Sequence, residues 1–150
     1  MDIITNSPYE TKRLGVRLGR LLAANAVVAL AGTLGAGKTV LVKGIARGLG
    51  IAENKILSPT FVLIREHAGK RYDLFHFDFY RIEAVSLREV LELEEYFTRG
   101  GICVIEWAEK ITSLLPRNYL LIKIDILSAN ERRLRFRPRG KGYRELVEKI

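Results

Sequence analysis

The chain has 150 residues, of which 48% are hydrophobic and 9% aromatic, and it carries a formal net charge of +8. This length and composition predict a single globular domain over residues 1–150 and exclude an intrinsically disordered chain. No apolar run approaches the roughly 20 residues of a membrane span and no signal peptide is apparent, so we expect a cytoplasmic protein without a membrane partner. The one cysteine, Cys103, excludes an internal disulfide, and its apolar neighbours predict a core residue.

The first third of the chain predicts a helix, a strand and a second helix. Residues 7–10, Ser-Pro-Tyr-Glu, place a capping Ser, a first-turn Pro and a Glu three residues after the cap, and leucines at helical spacing follow. This pattern predicts a helix over 8–24. The short apolar run 27–31 indicates a buried strand, and a second helix over 38–49 is closed by Gly50.

The middle of the chain predicts a hairpin, a helix and another buried strand. In the second hairpin strand, Phe75, Phe77 and Phe79 would point to one face of the sheet. His76 and Asp78 would point to the other face, about 6.6 Å apart along the strand. The predicted hairpin strands cover 61–66 and 72–80, the helix covers 86–97 and the buried strand covers 102–107.

The last third of the chain predicts a second hairpin, with strands over 119–127 and 132–138, and a terminal helix over 143–150. Buried strands beside helices indicate a parallel core sheet, whereas the hairpins add antiparallel strands. The predicted fold class is therefore α/β, with a mixed sheet of parallel core strands and antiparallel hairpins, flanked by helices.

Residues 32–39 match the Walker A pattern G-x-x-x-x-G-K-T, with an apolar strand before the first Gly and a helix starting at the Lys. The glycines let the backbone turn sharply and bring its N–H groups close to phosphate oxygens, and the helix N-terminus adds partial positive charge. Lys38, interpreted as an exposed loop residue, would reach the β- and γ-phosphates, and the Thr39 hydroxyl would ligate Mg²⁺. The pattern therefore predicts a P-loop that binds a magnesium nucleotide. The predicted binding residues are Thr33, Leu34, Gly35, Ala36, Gly37, Lys38 and Thr39.

A P-loop also needs an acid at the end of a neighbouring strand, and two residues are candidates. Glu106 follows four apolar residues at the tip of a predicted buried strand, where a carboxylate is costly unless something positive meets it. We interpret Glu106 as a ligand of the metal or of its water rather than as a surface carboxylate. For Asp78 two interpretations stay open, because an alternating strand carries polar residues on one face whether or not they form a site.

Four segments taken together resemble one family: GTLGAGKT at 32–39, SPTF at 58–61, HFDFYR at 76–81 and IEWAEK at 105–110. In this combination the chain is similar to TsaE, the small P-loop ATPase of bacterial tRNA threonylcarbamoyladenosine synthesis. The resemblance covers nearly the whole chain and implies a P-loop NTPase-like fold, ATP and Mg²⁺ as cofactors and ATP hydrolysis as the activity. One departure is visible, since the family often has Pro where this chain has Ala108.

The resemblance also implies roles for individual residues. Lys38 belongs to the catalytic set at the phosphates. Thr60 matches a switch-like threonine near the γ-phosphate and the metal, and Asp78 matches an acid at the metal and the attacking water. Glu106 matches the carboxylate linked to Mg²⁺, in agreement with its position at a strand end. Trp107 matches a tryptophan needed for activity, although a half-buried core aromatic would explain this residue equally well.

The family pattern further implies where the base lies and which proteins are partners. The base would lie near Thr11, at the start of the first helix, and near Asn130, in the second hairpin turn. TsaE-like proteins work with a TsaD–TsaB complex, in which ATP hydrolysis resets the machinery between modification cycles. Switch segments beside a P-loop suit such a role, because loss of the γ-phosphate can rearrange them.

Four arginines alternate with other residues at the end of the second hairpin. On an extended strand they would share one face at about 6.6 Å intervals, close to the roughly 6–7 Å step between phosphates of a nucleic-acid strand. Contact with tRNA is one interpretation, and contact with an acidic protein or the solvated face of an edge strand are the others. The four residues are Arg133, Arg135, Arg137 and Arg139.

Two other classes of P-loop protein stay open as alternatives. A small-molecule kinase of this size would need a second pocket and an arginine-bearing lid, and residues 128–141 could be mistaken for such a lid. A GTP-dependent switch would need an Asn-Lys-x-Asp guanine reader. The segment 54–57, Asn-Lys-Ile-Leu, lacks the acid of that reader, which disfavours the switch.

Overall fold

A computed structural model of the chain describes residues 1–58, 63–84 and 86–150. Within these ranges it contains a seven-stranded sheet, four α-helices and three short 3-10 helices. No described helix combines the length and the apolar character needed to cross a bilayer. In chain order the strands and α-helices are β1 (Asp2–Thr5), α1 (Pro8–Leu21), β2 (Val27–Ala31), α2 (Lys38–Gly48), β3 (Ile64–His67), β4 (Leu74–Asp78), α3 (Leu87–Tyr96), β5 (Ile102–Glu106), β6 (Tyr119–Ile126), β7 (Arg132–Arg139) and α4 (Lys141–Val147).

The strands lie in the order β1-β7-β6-β2-β5-β4-β3. The four strands β6, β2, β5 and β4 run parallel to one another. The hairpins β3–β4 and β6–β7 are antiparallel, as short connections require, and so is the pair β1–β7. This arrangement confirms the predicted α/β class, with a parallel core and antiparallel strands at both ends of the sheet.

The register of the parallel strands brings their polar ends together. Asp78 on β4 is the partner of Glu106 on β5, and Glu106 is the partner of Leu30 on β2. All residues of β4 and β5 are buried, as strands covered on both faces must be. Both carboxylates therefore lie at the carboxyl ends of the parallel strands, where the P-loop leaves β2.

The sheet has a separate apolar core on each face. The core under α1 and α2 contains Leu30 from the sheet and Ile45 from α2. The core on the other face, under α3, contains Phe75, Phe77 and Phe79. The prediction that the three phenylalanines share a face is confirmed, because the strand alternation places each of them in the same core.

The helices α1 and α2 cross at glycines. A Cβ on Gly15 would lie 2.5 Å from the carbonyl oxygen of Leu41, and a Cβ on Gly44 would lie 2.3 Å from that of Lys12. A larger residue at either position would push the two helix backbones apart, because the opposing atoms are backbone rather than flexible side chain. This close contact holds α2, and with it Lys38 at its first turn, against the rest of the protein.

Several predicted boundaries differ from the structure. The first helix ends at Leu21 rather than at residue 24, and the terminal helix spans 141–147 rather than 143–150. The strand Asp2–Thr5 is absent from the predictions, because four residues of mixed polarity carry little strand signal until β7 pairs with them. As a result β7 lies between β1 and β6, and the interpretation of its arginines as the face of an edge strand is wrong.

Candidate functional site

The loop between β2 and α2 turns the chain sharply at glycines. Gly35 and Gly37 have φ angles of 78° and 99°, in the left-handed region where glycine avoids the steric cost of a side chain. Gly32 packs against β6, where a Cβ would lie 2.6 Å from the carbonyl oxygen of Ile124. No side chain of the described residues caps the start of α2. The N–H groups of this helix start therefore remain available to an anion.

The lysine of the P-loop is buried and folded back on its own loop. Lys38 is 5% exposed, and its Nζ donates hydrogen bonds to the carbonyl oxygens of Gly32 at 2.5 Å and Thr33 at 3.0 Å. Nζ also lies 4.0 Å from the centroid of the Trp107 ring, which covers it. Burial lowers the pKa of Lys38, and the nearby carboxylate of Glu106 opposes that shift. The interpretation of Lys38 as an exposed loop residue is therefore wrong.

Thr39, the last residue of the Walker A pattern, contacts the strand-end acid directly. Its Oγ1 donates a hydrogen bond to Oε1 of Glu106 at 2.9 Å. Glu106 is 2% exposed, and Nε2 of His76 lies 3.5 Å from the same Oε1 atom. A buried carboxylate needs polar or positive neighbours, and the hydroxyl, the imidazole and the ammonium of Lys38 supply them. Glu106 is therefore not a surface carboxylate.

Asp78 lies beside Glu106 and is held by two hydrogen bonds. Its Oδ2 accepts from Oγ of Ser58 at 2.6 Å, and its Oδ1 accepts from the backbone N–H of Tyr80 at 2.8 Å. Asp78 is only 6% exposed. A carboxylate on the polar face of an ordinary strand would be solvated, whereas this one is buried next to a second carboxylate. Of the two interpretations of Asp78, this geometry favours the one that makes it part of a site.

A cavity of about 360 Å³ joins these groups. Its walls include residues 34–40 of the P-loop and the first turn of α2, the carboxylates of Asp78 and Glu106, and the aromatic rings of Tyr80 and Trp107. A larger cavity of about 720 Å³ runs along β1 and α1 and includes neither the P-loop nor these carboxylates. The chemistry of the lining, and not the volume, therefore identifies the smaller cavity as the candidate site.

Trp107 has a backbone conformation that is uncommon for a bulky residue. Its φ of 58° lies in the left-handed region, which strains residues other than glycine. Its half-buried ring lies 5.0 Å from that of Tyr80, between centroids, and it also packs against the core under α3. Residues held in such conformations cluster at functional sites. Trp107 is thus both a packed aromatic and a wall of the cavity, and the following residue, Ala108, is buried at the start of a 3-10 helix.

Three of the predicted residues that the structure describes do not line this cavity: Thr11, Thr33 and Asn130. Thr60 lies outside the described residues. Thr11 is 2% exposed and its Oγ1 lies 2.7 Å from Oγ1 of Thr5, so its hydroxyl is engaged inside the protein. Asn130 is exposed in the turn between β6 and β7. The structure therefore brings together Lys38 and its P-loop neighbours with the two carboxylates and Trp107, but not with Thr11 or Asn130.

Four residues at the site carry no predicted role. Ser58 and Tyr80 lie within the motif segments that carry the family resemblance, and this was the sequence signal available for them. Tyr80 is also only two residues from Asp78. His76 is fully buried, and neither ring nitrogen has a hydrogen-bond partner among the described residues. Arg132 had no sequence signal, because it binds backbone carbonyls 96 and 97 positions away in the chain.

The four arginines of β7 lie on a sheet face that α1 and α2 do not cover, since the residues alternating with them are buried in the core under those helices. Nε of Arg135 lies 2.8 Å from Oδ2 of Asp125. Nη1 of Arg137 lies 3.0 Å from Oδ1 of Asp2. Two of the four charges are therefore partly neutralised within the protein. The two that form no ion pair within the described ranges are Arg133 and Arg139.

Comparison with protein families gives one match that covers most of the chain. The model of the family described as "Threonylcarbamoyl adenosine biosynthesis protein TsaE" matches residues 5–134. This range includes the P-loop, both carboxylates and Trp107.

Individual relatives and a solved structure agree with that match. The chain is 40% identical to the tRNA threonylcarbamoyladenosine biosynthesis protein TsaE of Bacillus subtilis, over 97% of this chain and 90% of the relative. It is 41% identical to the protein of the same name from Treponema pallidum, over 89% of this chain and 98% of the relative. The crystal structure of Bacillus subtilis YdiB superposes with a TM-score of 0.84 at 34% identity, covering 99% of this chain and 92% of that chain.

Proposed function

The chain belongs to the TsaE family of threonylcarbamoyl adenosine biosynthesis proteins, and from this premise we propose that it is a magnesium-dependent ATPase. Membership of the family gives the protein a role in tRNA threonylcarbamoyladenosine biosynthesis. Binding and hydrolysis of ATP at the P-loop would be its contribution to that process.

The hydrogen bond from Thr39 to Glu106 is the observation that most supports this proposal. The hydroxyl at this P-loop position ligates Mg²⁺ in such sites, and here it contacts the buried carboxylate of Glu106 at the end of a strand. Asp78 lies in register with Glu106 on the neighbouring strand. A Gly-rich turn without a ligand would have no reason to bury two carboxylates and a lysine around one small cavity, because buried charges destabilise a fold.

The donor set fits the proposed metal and nucleotide. Hydroxyl and carboxylate oxygens are the hard ligands that Mg²⁺ prefers, and Mg²⁺ commonly takes only one or two carboxylates alongside substrate phosphates and water. In keeping with this mode, the described residues contain no cluster of three or more His, Cys, Asp or Glu side chains that could hold a metal. Thr39 and Glu106 would hold the metal, Asp78 would be linked to it, and the N–H groups of residues 33–39 would bind the phosphates.

The hydrolytic roles of the side chains follow from these positions. Asp78, whose Oδ2 now accepts a hydrogen bond from Ser58, would orient the attacking water and accept its proton. Lys38 would transfer its hydrogen bonds from loop carbonyls to the β- and γ-phosphates. Mg²⁺, when bound, would neutralise part of the charge that develops on the phosphates. Trp107 would cover Lys38 and exclude water from it.

We also propose the cytoplasm as the location and a TsaD–TsaB complex as the partner, in which hydrolysis resets the machinery between modification cycles. A site whose walls include the half-exposed rings of Tyr80 and Trp107 is open enough for a partner to complete it. Slow hydrolysis by the protein alone would follow, because P-loop enzymes completed in trans hydrolyse slowly without the partner.

The proposed activity is tested by measuring release of inorganic phosphate from ATP and from GTP, with Mg²⁺ or with EDTA, and with or without TsaD–TsaB. We expect release from ATP that requires Mg²⁺ and rises when the complex is added. Transfer of phosphate to a small acceptor instead of water would identify a kinase. Residues 128–141 do not have the form of a kinase lid, because residues 132–139 are a strand inside the sheet.

Contact with tRNA through the arginines of β7 remains a separate proposal. It is supported by a row of like charges on a sheet face that α1 and α2 leave uncovered, two of which lack an ion pair in the described parts of the chain. Phosphates of tRNA would bind Arg133 and Arg139 without displacing an existing partner, whereas Arg135 and Arg137 would have to share theirs.

A further inference from the structure

Arg132, the first residue of β7, is hydrogen-bonded to the outer side of the P-loop. Its Nε lies 3.0 Å from the carbonyl oxygen of Ala36, and its Nη2 lies 3.4 Å from that of Gly35. The C=O and N–H of one trans peptide point in opposite directions, so the N–H groups that share a peptide with these carbonyls point away from Arg132. Arg132 also does not line the phosphate cavity, so it contacts the loop from outside that cavity.

The same guanidinium holds the turn between β6 and β7. Its Nη1 carries two hydrogens and donates to the carbonyl oxygens of Ser128 and Glu131, both at 2.9 Å. The carbonyl oxygen of Ala129, at 3.4 Å, shares one of these hydrogens. Because the guanidinium is planar and carries its donors in a fixed fork, one side chain can bind both segments at once in a defined geometry.

No other hydrogen bond among the described residues links this turn to the P-loop. The remaining bonds of the turn are local. The N–H groups of Leu127 and Ser128 donate to the carbonyl oxygen of Glu131, and the N–H of Glu131 donates to Oγ of Ser128. The P-loop has its own supports, because it is continuous with β2 and α2 and because Lys38 bonds its carbonyls. Loss of Arg132 would therefore release the turn while the P-loop keeps its conformation.

The order of the strands shows which end of a nucleotide would meet this turn. Glu106 and Asp78 lie on β5 and β4, on one side of β2, and β6 and β7 lie on the other. The γ-phosphate of ATP must lie near the carboxylates for hydrolysis. The phosphate chain along the P-loop then directs the nucleoside toward the β6–β7 side, where Arg132 fixes residues 128–131.

We propose that Arg132 is a positioning residue that holds the turn 128–131 against the P-loop as a wall of the nucleoside site. This inference rests on the proposed function, since it requires a nucleoside triphosphate at the P-loop. Arg132 would thus favour nucleotides over phosphate chains that lack a nucleoside.

The test compares ATP with inorganic tripolyphosphate, which offers the phosphates without the nucleoside. Affinities of both are measured by calorimetry in the presence of Mg²⁺ for the unmodified protein, Arg132→Gln and Arg132→Lys. In Arg132→Gln we expect ATP to bind about tenfold more weakly, equivalent to ~1.4 kcal/mol, and tripolyphosphate to change less than about twofold. Arg17→Gln is the matched control, because Nη2 of Arg17 also donates to a backbone carbonyl, that of Lys149, at 2.9 Å.

The outcomes separate the inference from the proposed function. If the affinities for ATP and tripolyphosphate fall equally, Arg132 acts through its charge or through the P-loop. If the affinity for ATP is unchanged, the turn contributes nothing to binding. Either result overturns the inference. If the unmodified protein binds neither compound, the proposed function fails first. If Arg132→Gln does not unfold cooperatively, Arg132→Lys decides the question, because one ammonium cannot bond both segments and should show the same selective loss for ATP.

Discussion

The two halves of the sheet use charged side chains in opposite ways. In the parallel half, formed by β2, β5 and β4, the polar groups Lys38, Asp78 and Glu106 are 2–6% exposed and lie around one cavity. The antiparallel half is formed by β1, β7 and β6, of which β6 also pairs in parallel with β2. In this half, charged residues such as Arg135 and Asp125 remain partly exposed on an open face. The difference follows from coverage, since helices pack on both faces of the parallel strands but on one face of the antiparallel ones.

This contrast shows where each half can contribute to function. Buried charges are costly, so they are kept only in defined arrangements with specific partners, which is what a catalytic site needs. Exposed charges are screened and contribute little individually, so they act together through their summed field on a charged partner. We therefore expect substitutions in the parallel half to change chemistry and those in the antiparallel half to change association.

The carboxylates should give the largest effect. Glu106→Gln and Asp78→Asn should each lower the rate of ATP hydrolysis by roughly 10²–10³-fold, because groups that stabilise developing charge or orient the nucleophile act in the transition state. Nucleotide affinity should change much less, since the P-loop backbone still holds the phosphates. Asp125→Asn, on the open face of the antiparallel half, is the control and should hydrolyse ATP at the unmodified rate. If a carboxylate variant also keeps that rate, its residue has no catalytic role.

Lys38→Ala should give the next largest effect, on binding. The loss of charged hydrogen bonds to the phosphates should weaken ATP affinity about 10–100-fold, measured by calorimetry. Lys43→Ala removes a lysine from the same helix outside the cavity and should leave affinity unchanged. An unchanged affinity in Lys38→Ala would contradict the assignment of the phosphate site. Because Lys38 is buried, the Lys38→Ala variant should also be checked for cooperative unfolding in the same preparation.

The arginine face should give a smaller effect that depends on salt. Replacing Arg133 and Arg139 by Gln should flatten the slope of log tRNA affinity against log salt by about two units, at roughly 0.9 for each phosphate that the protein no longer neutralises. Replacing Arg135 and Arg137 instead should flatten it less, because each already shares an ion pair. ATP hydrolysis should stay unchanged in both variants. A loss of TsaD–TsaB binding with unaltered tRNA binding would make the face a protein-docking surface.

The smallest effect is expected from ionisation of the Cys103 thiol. It tests how well the core of the parallel half excludes water. Burial raises the pKa of Cys103 to about 12 from an ordinary value of 9.0. The folded protein then retains a proton that the unfolded chain releases, so stability should fall as the pH rises from 9 toward 12, by at most about 1.4 kcal/mol per pH unit. Urea unfolding of the unmodified protein and Cys103→Ala at pH 8 and 10 isolates this contribution. An equal loss of stability in both proteins would show that the thiol is not the cause.

The parts of the site that the sequence predicts are local or periodic. The P-loop is a continuous stretch of residues 32–39, and the strand and helix that flank it are visible as patterns. Glu106 is predicted because an acid after an apolar strand is unusual in itself. Asp78 could not be assigned from the alternation of its strand, because the same pattern describes a solvated face; its burial next to Glu106 depends on which strands become neighbours.

Sequence alone thus determined the Gly-rich loop at residues 32–39, the two kinds of strand and the family, because each rests on neighbouring residues or on motifs in a fixed order. Only the tertiary structure decided that Asp2–Thr5 forms a strand, that β7 is internal and that Lys38 is buried under Trp107. It also decided that Arg132 binds both the P-loop and a turn, through backbone carbonyls that every residue possesses. Such interactions leave no trace in residue type or spacing, because they depend on where the folded chain brings distant segments together.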